Sequence, residues 1–232
     1  VNEDWFFRMA RFSVGVDGWK GKWVAVRLRD GDFFSVQVHQ SLAEIAKDPE
    51  PQVIAVDVPI GLEDRGSRAA DAAARQLIGL RSSSVFNSPP AFALDPRWAD
   101  YGATNAESKR RYGSGISAQG FALLKNIREA DDIAQKDQRF YEVHPEVSFR
   151  AMNGGTPLKF TKKSWNGQAE RIALLGKWGI TIPSRLPGTG VGNIPADDLL
   201  DAAAAAWTAD RIARSEANAV PDARQRTGRI WF

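Results

Sequence analysis

The chain has 232 residues, 43% of them hydrophobic and 25% charged, which suits one large globular domain or a domain carrying a substantial insertion. It has no cysteine and two histidines, His39 and His144, so disulfides and thiolate metal sites are excluded and a multi-histidine zinc centre is disfavoured. A net charge of +3 is too small to name a partner, and no apolar run approaches the ~20 residues of a bilayer span, so a cytoplasmic protein is the expectation.

Val1 to Arg8 reads as a leader or an added segment, because Met9-Ala10-Arg11-Phe12 resembles a natural start. Residues 1–10 are therefore set apart from a single domain over 11–232. Phe12–Asp17 reads as an apolar strand, Lys22–Arg29 as a second, and Asp30-Gly31-Asp32 as a hairpin turn into a third at Phe33–Val38. A short helix follows at Ser41–Lys47, with Ser41 and Glu44 spaced as a capping box. Gln52–Val58 is continuously apolar and predicts a strand buried on both faces.

The middle of the chain reads as more helical. Ser67 can cap a helix over Arg68–Ile78, and Gly79–Pro96, with its serine and proline runs, reads as an ordered loop or a mobile lid. Helices are predicted at Ala103–Tyr112 and Ala118–Gln135, so an insertion of helical character spans about residues 61–140. Arg139–Val143 predicts a short strand, followed by a helix from Pro145 to Met152 and another over Lys163–Trp178. Ile180–Ile194 is a connection broken by proline and glycine. Pro195 opens the last long helix, to about Ser215, and Gly228–Phe232 adds a terminal edge strand.

The chemistry-bearing residues are carboxylates. Asp17 ends the first strand, where it suits either a hairpin turn or a ligand. Asp57 sits among valines at the end of a buried strand, where an ionised carboxylate needs a partner or a metal. Asp198 and Asp201 fall three apart on one face of the last helix. First-turn acids are favoured by the helix dipole, which accounts for Asp197 and Asp198, and Asp197 is assigned to capping. Asp201 precedes a run of five alanines and Trp207 that looks buried, so it requires a compensating charge, and the small alanines would let the helix approach the sheet closely. Such acids are what a magnesium or manganese centre for phosphoryl transfer uses, since hard divalent ions take oxygen ligands.

Glu142, His144 and Glu146 form a second polar group. His144 suits proton transfer or a structural role, and Glu146 suits a ligand or supporting carboxylate. Arg68, Asp71 and Arg75 lie on one helix stripe, for ion pairing or for phosphate binding. Lys20 and Arg81 are further candidates for contact with a nucleic-acid backbone, while Lys109-Arg110-Arg111 and Lys159 with Lys162-Lys163 read as solvated surface.

These motifs together resemble a large bacterial and archaeal family of predicted RNase H-like nucleases, a domain of unknown function. The resemblance covers most of the chain from Val14 onward. It is carried by Gly15-Val16-Asp17-Gly18, Val56-Asp57-Val58-Pro59-Ile60-Gly61-Leu62 and Arg68…Asp71…Ala74-Arg75. Arg81-Ser82-Ser83-Ser84-Val85-Phe86, His144-Pro145-Glu146-Val147-Ser148-Phe149 and Asp197-Asp198-Leu199-Leu200-Asp201-Ala202 complete it. More distantly the chain is similar to RuvC-type resolvases, whose pattern implies an acid on the first strand, an acid ending the fourth and paired acids on the last helix. Asp17, Asp57, Asp198 and Asp201 match those positions. The resemblance implies an α/β fold with a mixed five-stranded sheet flanked by helices, Mg²⁺ or Mn²⁺ in the acid cluster, and DNA or RNA as substrate. The chain departs from the resolvases in having aspartate rather than glutamate at 57 and in its middle insertion. A metal-dependent nuclease is the leading expectation. An actin-like ATP-binding phosphotransferase and a non-catalytic RNase H-like binding module are the alternatives.

Overall fold

Alternation along the strands sorts the two faces of the central sheet. The computed structural model describes residues 10–64, 68–188, 190–222, 224 and 226–232. The proposed leader, Met9, Arg65 and the Ser67 cap lie outside the described residues. Strands β1 (Phe12–Trp19), β2 (Lys22–Arg29) and β3 (Asp32–His39) form an antiparallel meander. The β2–β3 turn places Asp30 at φ 53° and Gly31 at φ 97°, the left-handed pair that a two-residue hairpin demands. Helix α1 (Leu42–Ala46) then leads into β4 (Pro51–Val56), which runs parallel to β1. In α1 the Ser41 hydroxyl accepts from the Glu44 amide, while the Glu44 carboxylate reaches back to the Gln40 amide, one residue beyond the expected box.

Between β4 and the short parallel strand β5 (Phe140–Glu142) come α2 (Ala69–Ile78), α3 (Tyr101–Tyr112), α4 (Ala118–Ala122) and α5 (Leu124–Ala134). The helix expected over Ala118–Gln135 is thus divided at Leu123. Gly79–Pro96 contains two 3-10 turns, Gly79–Ser84 and Ala91–Leu94, rather than an unstructured lid. Helix α6 (Pro145–Met152), α7 (Trp165–Lys177) and the long α8 (Ala196–Ala213) complete the helical set. The expected terminal edge strand instead forms a separate two-stranded sheet, β6 (Ala219–Val220) with β7 (Ile230–Trp231), touching the main sheet's end through one bridge, Val143 to Trp231.

The main sheet has the order β3-β2-β1-β4-β5, with β1, β4 and β5 parallel and β2 antiparallel to its neighbours. This is the mixed α/β, RNase H-like topology expected from the sequence. On one face Val14, Val16, Trp23, Ile54 and Val56 pack beneath α1 and α5. The other face carries Val24, Val26 and Leu28 with α6, α7 and α8, and Val53 and Ala55 against Ala205 and Ala209 of α8. Helix α5, within the segment read as an insertion, is therefore one of the sheet's own covering helices.

Helix α8 lies against β1 at a distance that only the smallest residues permit. A Cβ built on Gly15 would fall 1.9 Å from the Ala206 amide nitrogen and 2.2 Å from the Ala202 carbonyl oxygen. Those are backbone atoms with no rotamer to relieve the clash, and Ala202–Ala206 are fully buried. Gly15→Ala is expected to destabilise the fold by about 3 kcal/mol or more, the upper end of overpacking costs. Gly176→Ala, in α7 with open space around the new methyl, should instead stabilise by about 0.4–1 kcal/mol. Urea denaturation of the two variants beside the parent checks both signs.

Candidate metal centre

Because side chains alternate, Ser13, Gly15 and Asp17 share the α8 face of β1, and Val53, Ala55 and Asp57 share the same face of β4. The parallel pairing ends at Val16 with Val56, and the Asp57 amide then donates to the Val16 carbonyl at 2.9 Å. Asp17 and Asp57 thus emerge side by side where β4 ends. Asp17 lies within β1 rather than at its end, because antiparallel pairing with β2 continues to Trp19. Helix α8, seated on Gly15, contributes Asp201 from the turn just before its alanine run.

Carboxylate oxygens of Asp17, Asp57 and Asp201 lie within 4.8 Å of one another. A single ion with oxygen ligands at ~2.0–2.6 Å would bridge such a set. Asp17 accepts from the Gly18 amide at 2.7 Å, and Asp201 forms an ion pair with Lys162. The second oxygen of Asp201, Oδ1, is buried with no hydrogen-bond partner among the described residues. Buried carboxylate oxygens are costly to leave unpartnered, so this atom fits a cation ligand. Three carboxylates share one ammonium. When all are ionised the group lacks two positive charges, which one divalent ion supplies.

The protonation equilibria reflect that shortage. Burial, then Asp57 and Asp201, push the Asp17 pKa well above the carboxylate range. Burial raises Asp57 to about 7 against the lowering influence of Lys162, with Glu146 and Asp198 adding to the rise. Asp201 is likewise raised by burial to about 7 despite Lys162. Burial alone would lower the Lys162 pKa, but Asp201, Asp57 and Asp17 reverse this and raise it, so the ammonium stays charged.

Lys162, which sequence reasoning placed on the solvated surface, is the ion-pair partner of Asp201 in this cluster. It sits in the turn ahead of α7, and that turn is fixed from both sides. Ser164 caps α7 by accepting from Gly167 at 3.1 Å, and Glu170 accepts from the Lys159 and Phe160 amides at 3.3 Å each. The N-cap serine signals the helix start; nothing local signals that the lysine two residues earlier reaches Asp201.

The other anticipated residues divide between the site and the frame. His144 caps α6 and donates from Nε2 to the Ser84 carbonyl at 3.3 Å. Its Nδ1 is buried without a partner, and burial lowers its pKa, so the ring is neutral. Glu146 lines the same cavity but is held by an ion pair to the fully buried Arg171. Asp198 stands outside the group of three, half-buried at the start of α8, its pKa raised by burial and by Asp197. Asp197 makes no capping hydrogen bond, so only its first-turn charge remains of the role expected for it.

Among the basic residues, Arg81 lines the cavity and donates to the Leu158 carbonyl at 3.2 Å. Arg75 donates to the Val85 carbonyl at 3.0 Å and lines a neighbouring cavity. Lys20 is exposed in the β1–β2 turn, 5.6 Å over the Trp19 ring, and does not line the acid cavity. Arg68 is only 2% exposed and ion-paired to both Asp71 and Glu142, so it meets the frame's acids rather than a phosphate. Burial opposes its charge, yet Glu142 and Asp71 raise its pKa overall.

The acids line a cavity of about 690 Å³. Strand ends and α8 form one side, the Arg81–Phe86 segment with Gln119, Leu123 and Asn126 a second, and the Thr161–Lys163 turn a third.

Two outcomes follow. A carboxyl whose folded pKa is raised favours folding at low pH and opposes it as pH climbs, so the Asp57 penalty is absent below pH ~4 and complete above its folded pKa of about 7. With chelator at pH 8, Asp57→Asn is expected to melt at least about 2–4 °C higher than the parent, the shift that ~1 kcal/mol brings at this chain length. The gain should fade toward pH 4, and Mn²⁺ should stabilise the parent more than the variant; thermal melts across pH with and without the ion test this. For Arg68→Met, urea denaturation should show a loss of about 3–5 kcal/mol, because Glu142 and Asp71 are left as uncompensated buried charges.

No helix among the described residues is long and apolar enough to cross a membrane. Neither the curated proteins nor the solved structures contain a match to this chain. The model of a family described as "Protein of unknown function (DUF429)" matches residues 15–226. That span carries Asp17, Asp57, His144, Glu146, Lys162 and Asp201, and the chain belongs to this family.

Proposed function

We propose that this DUF429 protein is a metal-dependent nuclease that hydrolyses phosphodiester bonds in nucleic acid, with Mg²⁺ or Mn²⁺ held by Asp17, Asp57 and Asp201. The observation that carries the reading is the meeting of these three acids, from distant segments, within 4.8 Å of one another in a cavity where Lys162 is ion-paired to Asp201. The donor set is all hard oxygen, which suits magnesium or manganese and neither thiophilic nor imidazole-preferring ions. A bound divalent ion would polarise the phosphoryl oxygens and supply a nucleophilic water at neutral pH.

The chain's own residues have separable tasks in this scheme. Lys162 holds one oxygen of Asp201 and leaves the other for the ion, and its charge favours an incoming phosphate. Arg81 and Lys163 add positive charge along the cavity wall. His144, neutral and oriented through Nε2 by the Ser84 carbonyl, lines the same cavity and leaves its buried Nδ1 as the ring's proton acceptor. Arg171 clamps Glu146, so that carboxylate supports the site's field from a fixed position. Asp198 contributes negative charge from the rim of α8.

Cleavage of single-stranded and duplex DNA and RNA, assayed with Mg²⁺ and Mn²⁺, tests the proposal. Asp17→Asn and Asp201→Asn should each lose at least about 100-fold in kcat/KM, ~2.7 kcal/mol of transition-state stabilisation. Asp198→Asn should lose less than either. Activity retained in both of the first two variants rejects the assignment.

A further inference from the structure

A second cavity, of about 720 Å³, adjoins the acid cavity, and the two share Ser83, Phe86 and Gln119 as common wall. Its chemistry differs from that of its neighbour. Among the described residues Arg75 is the one charged side chain lining it and no carboxylate does; serines, the Asn87 and Gln119 amides, prolines, Phe86, Val85 and Ile116 make up most of the rest.

This wall is built rather than loose. Arg75 of α2 donates to the Val85 carbonyl at 3.0 Å and to the Asn87 side-chain oxygen at 2.5 Å. Asp71 of the same helix accepts from the Ser88 amide at 2.9 Å. Val85, Asn87 and Ser88 are thus pinned to α2, with Phe86 carried between them. With its oxygen engaged by Arg75, Asn87 keeps its side-chain N–H pair free of other hydrogen bonds among the described residues, and Gln119 is exposed at the junction. Ser88 lines the cavity, and its buried hydroxyl has no hydrogen-bond partner among the described residues.

We infer that the second cavity seats the nucleoside attached to the attacked phosphate, so that the substrate is an unpaired nucleotide, either free or at a single-stranded position, and not an intact duplex. The inference rests on the phosphodiesterase reading of the acid cavity. Each chamber has the size of a small-ligand pocket, ~300–1,000 Å³, which fits one phosphate group and one nucleoside. Phe86, at the shared wall, offers the aromatic face on which an unstacked base lies. Asn87 and Gln119 offer amide groups that pair with base edges, and the Ser88 hydroxyl gains the partner it lacks. The cavity is a partly open cleft between the Ser82–Pro90 and Ser114–Gln119 segments, and a base paired inside a duplex would first have to leave the stack to lie against Phe86 and Asn87 there.

Two chromogenic diesters separate this inference from the reading beneath it. Bis(p-nitrophenyl) phosphate, without a nucleoside, reports the acid cavity, and thymidine 5′-(p-nitrophenyl) phosphate reports both cavities. In Asn87→Ala and Phe86→Leu the ratio of kcat/KM for the thymidine ester to that for the simple ester should fall at least tenfold. An unchanged ratio in both variants overturns the inference while leaving the nuclease reading intact. Should neither ester be hydrolysed, binding still decides: calorimetry with thymidine monophosphate, a four-residue oligothymidylate and a blunt duplex needs no turnover. Binding of the first or second that weakens at least tenfold in Asn87→Ala supports the seat. Binding of the monophosphate alone assigns it to free nucleotides, and binding of both assigns it to strands. Duplex binding as tight as that of the oligothymidylate, or no dependence on Asn87 and Phe86, refutes it.

Discussion

The contact between Gly15 of β1 and the backbone of α8 at Ala202 and Ala206 is the constraint from which the site follows. Only a residue without a Cβ lets the helix sit so low on the sheet, and only a helix that low brings the Asp201 carboxylate to the strand-end acids. The alanine run serves the same end from the other side, since larger residues would hold the helix axis further away. Packing fixes the position and the carboxylates inherit it. Backbone-to-backbone contact of this kind has no side-chain freedom with which to absorb change, so the geometry of the centre is as rigid as the core.

The acids themselves work against folding. Three carboxylates within a few ångströms, two of them buried and Asp57 partly so, repel one another, and Lys162 compensates only in part. A protein tolerates such a cluster when a ligand repays it, because an ion that binds only the folded chain shifts the folding equilibrium toward it. Strain of this kind is characteristic of sites rather than of frames. The buried Arg68–Asp71–Glu142 group offers the contrast. There each carboxylate meets a guanidinium directly, the Ile60 amide also donates to Glu142 at 2.8 Å, and nothing is left for an outside ligand.

Arginine carries the framework and lysine the site. Arg68, Arg75 and Arg171 each bind two or more acceptors, and Arg68 and Arg171 reach Glu142 and Glu146 on other elements, using the planar fork that suits fixed multidentate contacts. They fasten α2, α6 and α7 around the cavity and turn the Val85–Ser88 segment into a wall. Lys162 is a single compact charge that compensates the acids while leaving oxygen lone pairs available.

Local pattern was enough to read β1 to β4 and the cap of α1, because those features depend on neighbours within a few residues. The parity of Asp17 and Asp57 within their strands was legible for the same reason, as was Asp201, whose charge stood out against buried alanines. Three features were decided only by tertiary structure. Lys162 became the counter-charge of Asp201, a pairing across 39 residues that no local pattern encodes. Arg68 became a structural ion-pair partner because β5 brings Glu142 beside it. The Gly79–Pro96 stretch became a fixed wall because α2 supplies its hydrogen bonds, where composition alone suggested a loop. Sequence determines which side chain faces which way along its own element; which charges then meet depends on how closely separate elements pack, and here that closeness rests on the missing Cβ of Gly15.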